Sequence, residues 1–128
     1  MGRMKSYIWI AAGGASGALL RALISQYYPL EFGFHIVAIN IIGSFLLALI
    51  YTYFSASSKV GQQMRWMLGV GLMGGFTTMS TFSVDVVKLL DAQQYGVAVL
   101  YVLSSVIGGL LATALGVKLV SQRGESGK

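Results

Sequence analysis

Apolar residues gather in four blocks, and the polar residues fall mostly between them. Crossing the hydrocarbon core of a bilayer takes roughly 20 residues of helix. The blocks cover about 7–28, 32–54, 66–88 and 95–117, each long enough. Arg21 interrupts the first, and Pro29 ends it because its ring removes a helical hydrogen bond. The second carries no formal charge, only His35 and Asn40, and the fourth is also free of charge. The third starts near Trp66 and continues past Asp85. The longest polar stretch, 55–65, has room only for a loop. This pattern predicts an all-α integral membrane protein with one four-helix domain over 1–128. The apolar core of the first block, Tyr7 to Ala12, is short for a signal peptide, so that block reads as a retained helix.

The third block departs from a plain membrane helix. Four glycines and four hydroxyl side chains fall between Gly69 and Thr81. Irregular backbone survives at membrane depth only where protein or a water-filled cavity satisfies its freed amides and carbonyls. Broken helices of this kind hold ions in transporters and channels. The expected break is an unwound stretch over 74–82, and it points to ion passage rather than catalysis.

Composition narrows the classes further. Charged residues make up 10% of the 128, and mean hydropathy is +0.73; soluble domains carry about 25% charged residues. The net charge of +5 does not mark a nucleic-acid surface, because most basic residues flank apolar runs. Arg3, Lys5, Lys59, Arg65, Lys118, Arg123 and Lys128 share one side of the membrane, and Arg21 and Lys88 the other. Seven against two favours both termini in the cytoplasm. With no cysteine, disulfides and thiolate metal sites are excluded. No nucleophile–base–acid set, metal-ligand cluster or phosphate loop stands out, so the chain does not read as an enzyme.

Several intramembrane polar residues are candidates for function. Asn40 is either interhelical hydrogen-bond glue or a donor facing a permeant anion, since its amide offers two hydrogens. Tyr101, Ser105, Gly109 and Thr113 recur at four-residue steps and form one drifting stripe on the fourth helix. Arg21 either snorkels to the interface or concentrates anions at a vestibule. Asp85 and Lys88, three apart, read as an interfacial ion pair, and His35 reads as solvated at a helix start. Gly13 with Gly17, Gly71 with Gly75, and Ala112 with Gly116 supply small faces for close helix packing. Four helices so packed leave little room for an internal path, so oligomerisation is expected.

The run Gly74-Gly75-Phe76-Thr77-Thr78-Met79-Ser80-Thr81-Phe82-Ser83 resembles the CrcB/Fluc family of fluoride channels, whose pattern there is Gly-Gly-x-Thr-Thr-Phe-Ser-Thr-Phe-Ser. Gly13, Gly14, Gly17 and Arg21 in the first span, Asn40 and Gly43 in the second, and 113–116 in the fourth match as well. The resemblance implies an antiparallel (inverted) dimer of four-helix subunits in the bacterial plasma membrane, exporting fluoride passively to protect the cytoplasm. It implies a structural sodium ion (Na+) at the dimer centre, held by the backbone carbonyls of Gly74 and Thr77. The implied fluoride path passes Asn40, Met79, Ser80, Thr81, Phe82, Tyr101, Ser105 and Thr113, with Arg21 at the vestibule. The implied partners are the lipid bilayer, fluoride, and an inverted second copy or homologous subunit.

Three positions depart from the family pattern: Met79 replaces a phenylalanine, Gly109 a common serine, and Ile36 a frequent threonine. A thioether lacks the positive ring edge of an aromatic. These departures and the basic bias leave open a heterodimeric channel with a degraded pore in this subunit, or a nonconducting assembly subunit. A small multidrug-type exporter is the runner-up from another class. It would want a glutamate in the first span, and 7–28 contain none.

Overall fold

The structure is a computed structural model that describes residues 2–125, with side chains described for 4–122. Of the basic residues that set the expected orientation, Lys128 and the side chains of Arg3 and Arg123 lie outside that set. Helix α1 spans Gly2–Tyr27 and α2 spans Phe34–Tyr53. The third span begins as an α-helix at Lys59–Met64, widens into a π-helix over Arg65–Met73, and closes with one α-turn at Gly74–Phe76; together they are α3. It resumes as α4, Met79–Asp91, and α5 runs Tyr95–Glu125. Among the described residues four segments, Met4–Tyr27, Glu31–Tyr53, Lys59–Asp91 and Tyr95–Gln122, are long and apolar enough to cross a membrane.

Local chemistry sets the ends. Ser58 caps α3, its hydroxyl accepting from the Gly61 amide at 2.9 Å. The connection from α1 to α2 reverses through two successive left-handed residues, Phe32 (φ 55°) and Gly33 (φ 79°). A residue with a Cβ resists that region, which makes Phe32 a constrained position.

Packing follows the small residues. Helix α1 lies along α3, with its Gly13–Gly17 face against the Gly71–Gly75 face. A Cβ on Gly13 would come within 2.9 Å of the Leu72 amide nitrogen, and one on Gly71 within 2.7 Å of the Ile10 carbonyl oxygen. Backbone meets backbone here, the arrangement small residues permit in lipid. Gly116 of α5 rests in the same way on Ala48 and the Phe45 carbonyl of α2.

Two buried clusters hold the helices together. Ile36, Ile39, Met73 and Phe76 form one, and Val37, Leu89, Ala98 and Tyr101 the other. Phe82, at the start of α4, packs against both and so ties the break to the whole interior. Large apolar side chains elsewhere point outward, with Leu110 and Leu111 67% and 66% exposed on α5. An outward apolar surface is the inverse of a soluble protein and suits lipid or another subunit.

The structure corrects three expectations and adds one feature. The unwound stretch is shorter than 74–82: only Thr77 and Thr78 leave the helix, because the Thr78 side chain caps α4 and restarts it at Met79. The π-helix of α3 was not anticipated. Asp85 makes no ion pair with Lys88 among the described residues; its carboxylate instead accepts from the Tyr101 hydroxyl at 3.0 Å. His35 is half-buried rather than solvated, and its Nδ1 accepts from the Leu30 amide at 3.3 Å.

Candidate functional site

The break owes its form to one side chain on a neighbouring helix. Thr77 (φ −76°, ψ 158°) and Thr78 (φ −150°, ψ 127°) adopt extended backbone between α3 and α4. The Asn40 side chain meets Thr78 from α2 as a second strand would. Its Nδ2 donates to the Thr78 carbonyl at 2.9 Å, while the Thr78 amide donates to its Oδ1 at 2.8 Å. In an unbroken helix that amide would donate to the Gly74 carbonyl. Likewise the Thr81 amide goes to Thr78 Oγ1 at 3.2 Å instead of to the Thr77 carbonyl. The carbonyls of Gly74 and Thr77 thus lose their helical donors. These oxygens belong to the pair that the resemblance assigned to a cation.

The surroundings keep the break in place. The Thr77 hydroxyl and amide both donate to the Met73 carbonyl, each at 2.9 Å. The Thr77 methyl sits over Gly43, where any Cβ would collide with it. Thr78 is 8% exposed, and its hydroxyl also lies within hydrogen-bond distance of Ser80 Oγ (3.2 Å) and Thr81 Oγ1 (3.3 Å). Gly74, by contrast, is exposed, and a Cβ there would meet nothing within 4 Å.

Two recesses flank the break. One, about 230 Å³, is lined by Asn40, Gly43, Ser44, Leu47, Thr77, Thr78 and Met79. Met79, 72% exposed, stands at its rim. The other, about 260 Å³, includes Arg21, Ser25, His35, Ile36 and Thr81. Arg21 and Thr81 therefore share one hollow, while Asn40 and Met79 share the other. In the interior, Phe82 stacks on Tyr101, ring centroids 5.4 Å apart, and Phe34 meets the same tyrosine edge-on at 5.3 Å.

The remaining expected residues are dispersed. Tyr101 is fully buried, its hydroxyl donating to Asp85 Oδ2 at 3.0 Å and reaching the Gly33 carbonyl at 3.3 Å. Ser80 is exposed next to the break. Ser105 is half-buried and Thr113 exposed on α5, and neither lines these two recesses. Gly109 lies over Ser44, a Cβ there reaching 3.6 Å from its hydroxyl, so the stripe faces α2 at that level. Ser44 itself donates to the Asn40 backbone carbonyl at 2.8 Å.

Sequence reasoning missed the residue at the centre, Thr78. A threonine at 78, three before Thr81 and ahead of an apolar run, is a helix N-cap signal that could have found it. The Asp85–Tyr101 bond carries no such local signal, since the partners lie sixteen residues apart on different helices.

Comparison with known proteins gives a consistent set of relatives. A family model described as "CrcB-like protein, Camphor Resistance (CrcB)" matches residues 8–117. A protein named Fluoride-specific ion channel FluC from Pseudomonas fluorescens is 40% identical over 114 residues, covering 86% of this chain and 92% of its own. One of the same name from Sphingopyxis alaskensis is 37% identical over 123 residues, 93% of this chain and 98% of its own. A Bacillus cereus protein named Fluoride-specific ion channel FluC 1 is 35% identical over 117 residues, 88% of this chain and 85% of its own.

Proposed function

The chain belongs to the CrcB-like protein family, and from that premise we propose that it forms a passive, fluoride-selective channel that exports fluoride from the cytoplasm. In this reading two chains of opposite orientation make the working unit in the bacterial inner membrane, with a structural sodium ion between them. The observation that carries it is the break itself: Asn40 withdraws the Thr78 amide, and two carbonyls at mid-membrane are left without their helical donors.

Those carbonyls fit a hard cation. Sodium prefers oxygen ligands, and Gly74 and Thr77 offer backbone oxygens, Gly74 on an exposed face without crowding. Gly74 and Thr77 of each copy would hold the ion, whose charge would offset the converging carbonyl dipoles. The chain's own task is to keep the helical donors away from the two oxygens, and Asn40, which takes the Thr78 amide, and Thr78, which takes the Thr81 amide, do so.

Fluoride passage makes a different demand. Stripping water from a small anion costs tens of kcal/mol by Born reasoning, so donors must replace its hydration shell. One hydrogen of the Asn40 amide serves Thr78, and the second remains for an anion in the adjoining recess. Hydroxyls of Ser80, Thr81, Ser105 and Thr113 and the ring edge of Phe82 extend the set. Arg21 beside Thr81 raises the local anion concentration at one mouth. A negative-inside potential drives anions outward at about 2.3 kcal/mol per charge per 100 mV, so no coupling ion is needed.

Fluoride efflux from vesicles holding the purified chain tests the reading. Voltage-driven efflux well above that of protein-free vesicles, with chloride retained, is expected, and efflux no faster than the lipid background refutes it. The basic bias and Met79 favour a second reading, a heterodimer with an inverted homologous subunit carrying the better pore. Efflux from this chain alone defeats that alternative, whereas efflux only with a co-expressed relative supports it.

A further inference from the structure

The loop between α1 and α2 is fastened at both ends, by His35 at one and by Tyr101 with Asp85 at the other. At one end the Leu30 amide donates to His35 Nδ1 at 3.3 Å. At the other the Gly33 carbonyl accepts from the Tyr101 hydroxyl at 3.3 Å, with the Asp85 carboxylate packed against Gly33. Between the fastenings lie Phe32 and Gly33, both left-handed. Phe32 resists that conformation, so the turn persists only while its surroundings impose it.

His35 also stands between two hollows. It lines the recess of Arg21 and Thr81, and it lines a larger cavity of about 460 Å³ with Phe32, Gly33, Asp85, Lys88 and Gln94. The charged groups on these two walls are Arg21 from α1 and Asp85 and Lys88 from α4. Glu31 is exposed on the loop itself.

We propose that His35 is a proton-released latch on the first loop. A backbone amide can donate to Nδ1 only while that nitrogen keeps its lone pair. On protonation Nδ1–H faces the Leu30 N–H, donor against donor, and the fastening is lost. The new positive charge then lies beside Arg21 and Lys88, with Asp85 as its only nearby anion among these lining groups. Residues 30–32 lift away while the Tyr101 hydroxyl still holds the Gly33 carbonyl, and the His35 side that the two hollows share opens. Opening adds a cationic entry to the Arg21 recess, so anion entry rises as pH falls. This last effect rests on the transport reading above; the latch does not.

The absence of cysteine allows a clean test. A nitroxide attached at E31C, before the pH is varied, reports loop mobility in vesicles at pH 7.5 and 5.5. In the otherwise unaltered chain a severalfold rise in the mobile spectral fraction is expected at pH 5.5. H35N keeps an acceptor near the Nδ1 position but does not titrate, so its label stays constrained at both values; H35A leaves it mobile at both. A label equally constrained at both pH values in the parent, or a pH response that survives in H35N, overturns the latch. With protein-free leak subtracted, fluoride efflux at pH 5.5 should exceed that at pH 7.5 about two- to fivefold in the parent, and the ratio should stay near one in H35N. A responsive label in a chain without efflux at either pH counts against the transport reading alone.

Discussion

Replacing Asn40 with leucine removes both hydrogen bonds that hold the break to α2 while keeping nearly the same volume. The bonds measure 2.9 and 2.8 Å and join one side chain to both backbone polar groups of Thr78. Interhelical hydrogen bonds in lipid contribute about 0.6 kcal/mol each on average, so the pair supplies about 1.2 kcal/mol. Thr78 is 8% exposed, and its amide loses its partner in a buried place, which costs about 1–3 kcal/mol more. The expected loss is therefore about 2–4 kcal/mol. Reversible unfolding in mixed micelles measures it, and hydrogen exchange at the Thr78 amide locates it. Asn40→Asp separates the two bonds, since it keeps the acceptor for the Thr78 amide but sets an oxygen against the Thr78 carbonyl. If Asn40→Leu stays within about 0.5 kcal/mol of the parent, the size of an ordinary surface change, with the Thr78 amide still protected, then Asn40 does not hold the break and the reasoning fails.

Gly17→Ala places a Cβ 2.7 Å from the Phe76 amide nitrogen, against backbone that cannot yield; a loss of about 1–3 kcal/mol is expected in the same unfolding assay. Gly74→Ala meets open space, so the single chain should be unchanged or gain up to about 1 kcal/mol from the helix preference of alanine. Under the proposed dimer it should nonetheless weaken subunit association in lipid, read by energy transfer between labelled chains; association at the parent level would place Gly74 away from the partner. Tyr101→Phe keeps the stack on Phe82 but deletes the hydroxyl's bonds to Asp85 and to the Gly33 carbonyl, the first alone a hydrogen bond to a carboxylate of about 1.5–3 kcal/mol. Its unfolding midpoint should fall accordingly, and an unchanged midpoint would mean that Asp85 finds another donor.

The four spans were legible because lipid imposes one simple demand, a run of apolar residues of fixed length, and every span meets it. The close pairing of Gly13–Gly17 with Gly71–Gly75 was legible for a related reason: small residues four apart have few other uses in lipid. The break was legible in position but not in extent. Glycine and threonine density marks where a helix is weak, whereas the end of the unwound stretch depends on which oxygen takes the Thr81 amide. Thr78 Oγ1 takes it, and the helix restarts at once. The π-helix over 65–73 left no mark, since i→i+4 and i→i+5 bonding draw on the same residue types. Asp85 was misread for a comparable reason: Lys88 is close in sequence, but the Tyr101 hydroxyl is closer in space.

The position of the recess bears on how many chains are needed. Asn40 lies near the middle of the Glu31–Tyr53 span, so the hollow beside it opens at mid-membrane depth. Each backbone group left unsatisfied in hydrocarbon costs several kcal/mol, and the Gly74 and Thr77 carbonyls have both lost their helical donors. Lipid tails cannot supply the missing partners. Met79 at the rim is 72% exposed and too flexible a side chain to close the opening by itself. A second copy bringing its own recess, with a cation between, would satisfy all four carbonyls at once, and it would cover the apolar rim in the same step. That economy favours the proposed dimer over a solitary subunit.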